Sequence, residues 1–181
     1  LRHVPAARFI VIGDGPLRAA AIERAAAHAV LDRFLFVGRT ACVWYWLSKM
    51  TAFLLLSEHE GLPNALIEAQ FAGVPVITTP AGGSAETLIE EATGIVTGRT
   101  PSAEEVAAII ANLVAAPERL RHMGEAAASW ARTAFPIELM VQRTVDLYDA
   151  AGAAAYQTAL PHLACAADRD PAIPWLRETS S

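Results

Sequence analysis

Short apolar runs alternate along the chain with longer segments in which apolar residues return every three or four positions, and this predicts strands and helices in turn. Phe9 to Ile12 is an apolar run followed by Gly13, Asp14, Gly15 and Pro16. It reads as a strand, a tight turn and a helix start, with proline at an early helical position where its missing N–H costs nothing. That helix is expected to reach about Ala29. A second unit follows: a strand from Arg33 to Val37 ending at Gly38, then an amphipathic, aromatic-rich segment from about Val43 to Met50. The third unit is a strand over 52–56 and a helix from Asn64 through Ala72; the fourth is a strand from Val74 to Thr78 and a helix after Gly83. Gly94 to Val96 makes a short last strand. Strands alternating with helices at this spacing predict an α/β fold, a doubly wound parallel sheet with right-handed crossovers.

Beyond the strands the period is helical. Ser102 followed by Glu104 and Glu105 predicts a helix N-terminus, and Val106, Ile109, Ile110 and Leu113 recur on one face. Pro117 starts a further helix through Trp130, Phe135 to Ile137 interrupts, and Leu139, Val141, Val145 and Leu147 suggest another. Residues 1–150 are expected to form the domain. Residues 151–181, alanine-rich and then proline-containing, read as a tail or appended helix.

Composition narrows the function classes. A chain of 181 residues is long enough for one sizeable core and short for a two-domain enzyme. Although 54% of the residues are hydrophobic, no uninterrupted apolar stretch is long enough to cross a bilayer. A net charge of −5 argues against nucleic acid as a partner, because such affinity comes from clustered Lys and Arg neutralising phosphates. Cys42 and Cys165 are distant and unpaired in spacing, which favours a reducing, cytoplasmic compartment and offers no metal motif.

The densest candidate chemistry lies where the third strand becomes a helix, at Ser57 to Glu68. Glu60 falls in the loop and Glu68 one turn into the helix. In open α/β sheets ligands sit outside the carboxyl ends of the strands, where helix N-termini offer unpaired N–H groups to phosphates and hydroxyls. Gly61 permits close backbone approach, Leu62 and Pro63 fix the loop, and N–H groups near Asn64 face outward. Two carboxylates beside such donors suit a polyhydroxylated, phosphorylated ligand, since a carboxylate accepts from vicinal hydroxyls through charge-assisted bonds. Taken singly, each acid is also what a solvated helix or a favourable helix dipole would select. The same ambiguity holds for Glu86 after Gly82 and Gly83. Gly13 and Gly15 serve either a turn that needs glycine dihedrals or close approach of a ligand. With Arg18 where a third glycine would stand, they do not make a dinucleotide fingerprint, and a nicotinamide cofactor is not expected.

Other chemistries fit less well. The two carboxylates of a glycoside hydrolase flank one bond at about 5 to 9.5 Å, an arrangement unlike a strand–loop–helix edge. Ser57 and Ser84 lack the Gly-x-Ser-x-Gly turn of a serine hydrolase. His59 reads as a solvated loop residue, and Trp44, Trp46 and Trp130 as packing residues rather than a sugar platform.

The ordered series Ser57, Glu60, Gly61, Pro63, Glu68, Ala69, Gly73, Pro75, Gly82, Gly83, Glu86 and Gly94 resembles the carboxyl-terminal domain of retaining GT-B nucleotide-sugar glycosyltransferases. This is the large family four, glycosyl transferases group 1 type, with its signature of Glu, seven residues, Glu. The resemblance covers roughly residues 8 to 150. It implies a Rossmann-like carboxyl-terminal half of a GT-B fold that binds a nucleotide diphosphate sugar and needs neither metal nor other cofactor. Glu60 would hold hydroxyls of the transferred sugar as the catalytic-site acid and Glu68 the ribose. Gly61, Leu62, Pro63 and Asn64 would face sugar or phosphate, and Gly13, Gly15 and Arg39 would lie toward the nucleotide, although Arg39 also suits a solvated loop. The acceptor implied is a glycan or lipid-linked hydroxyl, as in cell-surface polysaccharide biosynthesis.

In that family an earlier strand and helix carry an Arg and a Lys for the diphosphate, and a separate amino-terminal domain supplies the acceptor site. The chain opens at Leu1 with a buried-strand pattern by Arg8, so truncation is expected, with binding but no turnover by the isolated domain. The full-length protein is expected in the cytoplasm, with peripheral attachment at the inner membrane face. A non-catalytic nucleotide-sugar module, or a GT-B epimerase or phosphorylase, is the alternative.

Overall fold

The computed structural model describes residues 4, 5 and 7–150; the expectation for 151–181 lies outside them. Contacts divide the chain after Ala134. In the first unit, β1 (Phe9–Ile12) leads through α1 (Arg18–Ala27) to β2 (Phe34–Gly38), which pairs with it in parallel, Phe9 opposite Phe34. Those two rings stack with centroids 4.8 Å apart, an aromatic cross-strand pair that fixes the register. The short α2 (Val43–Leu47) precedes β3 (Phe53–Leu55), and α3 (Asn64–Phe71) joins β3 to β4 (Val76–Thr78), with β5 (Gly94–Val96) beyond. The three are parallel, in the order β3, β4, β5. Every residue of the central β4 is buried, which is why Val76, Ile77 and Thr78 show no polar alternation.

Parallel strands crossed over by helices are present as expected, but they form two sheets rather than one. No described strand pairs with both β1 and β3. Between the sheets lies an apolar cleft of about 1320 Å³, walled by successive residues of both strands, Ile10 and Val11 on one side and Phe53 and Leu54 on the other. Side chains alternate faces along a strand, so only a cleft lying along the strand edges touches consecutive residues.

Turn chemistry sets where elements stop. α3 ends with Gly73 at φ 74°, whose N–H donates to the Gln70 carbonyl (2.9 Å) while Val74 donates to that of Ala69 (3.0 Å). This is a left-handed helix cap closed by two reverse bonds, and with Pro75 next it delays β4 to Val76. The helix expected after Gly83 is instead a single 3-10 turn, Ser84–Thr87. The Thr87 hydroxyl donates to the Ser84 carbonyl at 2.7 Å, and the backbone turns extended at Leu88. Such a local bond offers the chain an alternative to the α-helix.

α4 (Ala103–Val114) opens with a reciprocal cap: Glu105 N–H donates to Ser102 Oγ (3.1 Å) and Ser102 N–H to Glu105 Oε2 (2.7 Å). These bonds hold the Glu105 carboxyl below its usual pKa, the backbone N–H contributing most. α5 (Pro117–Ala134) runs one turn past the expected Trp130. It crosses close to the end of α3, where a Cβ on Gly124 would lie 2.4 Å from the Gly73 carbonyl oxygen. The core has two parts. Leu47, Leu66, Ala69, Val74, Val76 and Leu88 form one, and Ile77, Leu113 and Met123 the other. In the second unit, residues 137–150 form a helix that begins with Leu139 N–H donating to the Pro136 carbonyl at 3.1 Å. No helix among the described residues is long and apolar enough to cross a membrane.

Candidate functional site

The loop after β3 is held from below by β4 and the turn that follows it. The Thr79 hydroxyl donates to the Ser57 carbonyl (2.5 Å), and Gly83 N–H donates to the Gly61 carbonyl (2.7 Å). Gly82 has φ 52°, and a Cβ there would sit 1.9 Å from the Glu60 carbonyl oxygen. Glycine is therefore required twice over at this position, by its dihedral and by the approach of another backbone. Within the loop, Ser57 Oγ donates to Glu60 Oε1 at 2.6 Å, fixing the half-buried carboxylate, and among the described residues no hydrogen bond takes its other oxygen.

Pro63 caps α3 in an extended conformation and is buried, while Gly61, Leu62 and Asn64 are exposed. Leu66 N–H donates to the Pro63 carbonyl (3.1 Å), whereas among the described residues no backbone carbonyl takes the N–H groups of Asn64 and Ala65, and the first turn carries no acidic residue. The positive end of the helix is thus open to an anion beside the Glu60 loop. Glu68 stands one turn further on, exposed, and reaches the wall of the apolar cleft together with Ala65; Glu60 to Pro63 lie outside that cleft.

The structure therefore brings Ser57, Glu60 and Gly61 together with Gly82 and Gly83, and places Glu68 and Glu86 at the margins. Glu86 Oε1 lies 3.7 Å from where a Cβ on Gly83 would stand. Gly13, Gly15 and Arg39 form a second group, after β1 and β2. Gly13 N–H donates to the Gly38 carbonyl (2.9 Å), and Gly15 N–H to Asp14 Oδ1 (2.9 Å). Gly13 has φ 113° with nothing within 4 Å of a Cβ, so its dihedral alone calls for glycine. Arg39 is exposed. Among the described residues no hydrogen bond joins this group to the Glu60 loop.

One reading of a single residue changes. Trp44 is 59% exposed and is not a packing residue, whereas Trp130 is partly buried, as expected. Its Nε1–H donates to the Thr87 carbonyl at 3.0 Å. Residues not singled out in the sequence support the loop: Thr79, and the fully buried Gln70, whose Nε2 donates to the Leu66 and Thr87 carbonyls at 3.2 and 2.7 Å. A polar residue on the apolar face of α3, one turn after Leu66, was the available signal for Gln70.

Three comparisons bear on this site. The family described as Glycosyl transferases group 1 matches residues 1–130. The Vi polysaccharide biosynthesis protein VipC/TviE of Salmonella typhi is 58% identical over 96 residues, 53% of this chain and 17% of that protein. The N-acetyl-alpha-D-glucosaminyl L-malate synthase of Bacillus anthracis is 31% identical over 144 residues, 78% of this chain and 37% of that one. The chain thus spans well under half the length of both relatives. Among solved structures, Anabaena Alr3699/HepE in complex with UDP-glucose superposes with a TM-score of 0.75 at 20% identity, over 81% of this chain and 42% of that one. At that identity the likeness speaks for the fold.

Proposed function

The chain belongs to the glycosyl transferases group 1 family, and from that premise we propose that residues 1–150 are the donor-binding half of a retaining glycosyltransferase. The longer enzyme would move a sugar from a nucleotide diphosphate to a hydroxyl of a glycan or lipid-linked acceptor. The observation that carries the reading is the clamped loop at the open N-terminus of α3. There a carboxylate preset by Ser57 stands in the loop that leads directly into the helix's N-terminus.

In this reading Glu60 accepts hydrogen bonds from hydroxyls of the transferred sugar and holds the anomeric carbon for attack, a contribution of positioning. Glu68, one turn into α3 and exposed, takes the vicinal ribose hydroxyls. The N–H groups from Gly61 to Ala65 take phosphate or sugar oxygens. The Gly13–Gly15 turn and Arg39 serve the nucleotide's far end, which the ligand itself would bridge. Charge on the departing diphosphate is balanced by basic side chains elsewhere in the longer enzyme, and no metal takes part in the reaction.

Two relatives support the substrate class. Alr3699/HepE has been solved with UDP and with UDP-glucose, and VipC/TviE is named for polysaccharide biosynthesis. A cytoplasmic location, with the longer protein at the inner face of the membrane, goes with a nucleotide-sugar donor. The test is calorimetric titration of the chain with UDP, GDP and ADP, repeated on Glu68→Ala. One nucleotide binds and the substitution weakens it several-fold; no binding by a folded chain counts against the donor site. Efficient sugar transfer by the chain alone would contradict its role as half of the enzyme.

A further inference from the structure

The Thr87 carbonyl is the meeting point of three elements. It accepts from Gln70 Nε2 on α3 (2.7 Å) and from Trp130 Nε1 on α5 (3.0 Å), and its own side-chain hydroxyl closes the 3-10 turn onto Ser84 (2.7 Å). Thr87, Gln70 and Ser84 are each 0% exposed. That turn starts from Gly83, whose N–H grips the Gly61 carbonyl, and from Gly82, which lies against Glu60. A continuous chain of contacts therefore runs from α5 through Thr87 to the backbone of the Glu60 loop.

We propose that Gln70 and Trp130 are positioning residues for this loop: by fixing Thr87 from two helices they hold the Gly82–Gly83 turn, and through it Glu60 and the backbone donors of Gly61. The inference rests on the donor-site reading for its functional consequence and on the hydrogen bonds alone for its structural one. Gln70 is fully buried and both side chains act through the Thr87 carbonyl, so their role is positioning. α3 presents two opposite faces to this task. Glu68 is on the exposed face and Gln70, two residues on, is on the buried face, about 200° around the helix. One helix thus offers a ligand carboxylate outward and anchors the neighbouring turn inward. Gln70 suits the anchoring role because its amide carries two donors, directed to the Leu66 and Thr87 carbonyls, where an apolar residue of similar length has none.

The test uses the full chain with Gln70→Met, which keeps bulk, and Trp130→Phe, which keeps an aromatic ring; both remove the N–H donor. Amide hydrogen exchange is followed at Gly83 and at Ile77 in the centre of β4, and UDP affinity is measured by calorimetry. The expected result is exchange about tenfold faster at Gly83 with Ile77 unchanged, together with several-fold weaker UDP binding. Unchanged exchange at Gly83 overturns the proposal. So does equal acceleration at Gly83 and Ile77, which marks a purely structural role, and so does UDP affinity that stays constant while Gly83 loosens. Should the unsubstituted chain bind none of UDP, GDP and ADP, the donor-site reading fails, while the exchange pattern still decides whether Gln70 and Trp130 hold the turn; where GDP or ADP binds instead of UDP, that nucleotide replaces UDP in the affinity measurement. If Gln70→Met costs the fold, Gln70→Asn withdraws the amide by one methylene and reads the same exchange.

Discussion

Replacing Gly82 by alanine should damage the loop more than any other single methyl group placed near it. The added Cβ would lie 1.9 Å from the Glu60 carbonyl oxygen, 2.7 Å from its carbon and 2.9 Å from the Gly61 carbonyl oxygen. All three are backbone atoms, so no side chain can rotate out of the way. At φ 52° the alanine also adopts a left-handed conformation, at a cost of roughly 1–2 kcal/mol. Relieving the clash means displacing the loop, which as overpacking costs about 1–3 kcal/mol more. The total of about 2–5 kcal/mol is a large part of the roughly 5–15 kcal/mol that holds a domain folded. Urea and thermal denaturation of the full chain measure it, with Gly98→Ala as control because nothing lies within 4 Å of a Cβ there. Gly82→Asn separates the two causes, since asparagine tolerates the dihedral but still carries the Cβ. It should recover only the smaller part of the loss. A Gly82→Ala protein within about 0.5 kcal/mol of the parent, or an asparagine variant of parental stability, would refute the close approach of the two backbones.

Ser57→Ala removes the 2.6 Å bond to Glu60; it should cost stability only about 1 kcal/mol and weaken nucleotide-sugar binding several-fold more than it weakens nucleotide binding, as compared by calorimetry. Gly124→Ala, which drives a methyl to 2.4 Å from the Gly73 carbonyl oxygen, should destabilise by about 1–3 kcal/mol in urea without touching the loop. Because the Glu105 carboxyl is depressed in the folded state by its bonds with Ser102, its contribution is fully present above the unfolded value and is lost as the pH falls through the folded one. The stability difference between the parent and Glu105→Gln should therefore shrink on acidification; a difference that grows would mean the sign is wrong.

Where the sequence was legible, one physical signal dominated. The expected bounds of β1 and β5 match the structure to the residue because apolar runs bounded by glycine leave little choice of length, and Glu60 and Glu68 fall on loop and helix because a proline such as Pro63 stands before a helix or in its first turn, not in its interior. The turn after Gly83 was misjudged because its competitor is a hydroxyl bond from Thr87 to Ser84, which a hydrophobic period does not register. The division into two sheets was equally invisible, since strand order depends on partners distant in sequence. Gln70 is not legible because burial of a polar group is a tertiary fact: besides the Leu66 carbonyl one turn back, its amide is met by the Thr87 carbonyl, supplied 17 residues later. Trp44 failed in the opposite sense, an aromatic that the short α2 leaves in solvent.

Whether the α3 loop receives a nucleotide-sugar is decided by following amide resonances of the isotopically labelled chain during titration with UDP-glucose. The largest shifts should fall on Gly61, Leu62, Asn64 and Ala65, with Glu68 and Gly83 next, and Glu60→Gln should diminish them. Shifts concentrated elsewhere, such as around the exposed Trp44 and Tyr45 or on the Gly73–Gly124 side of the domain, would contradict it.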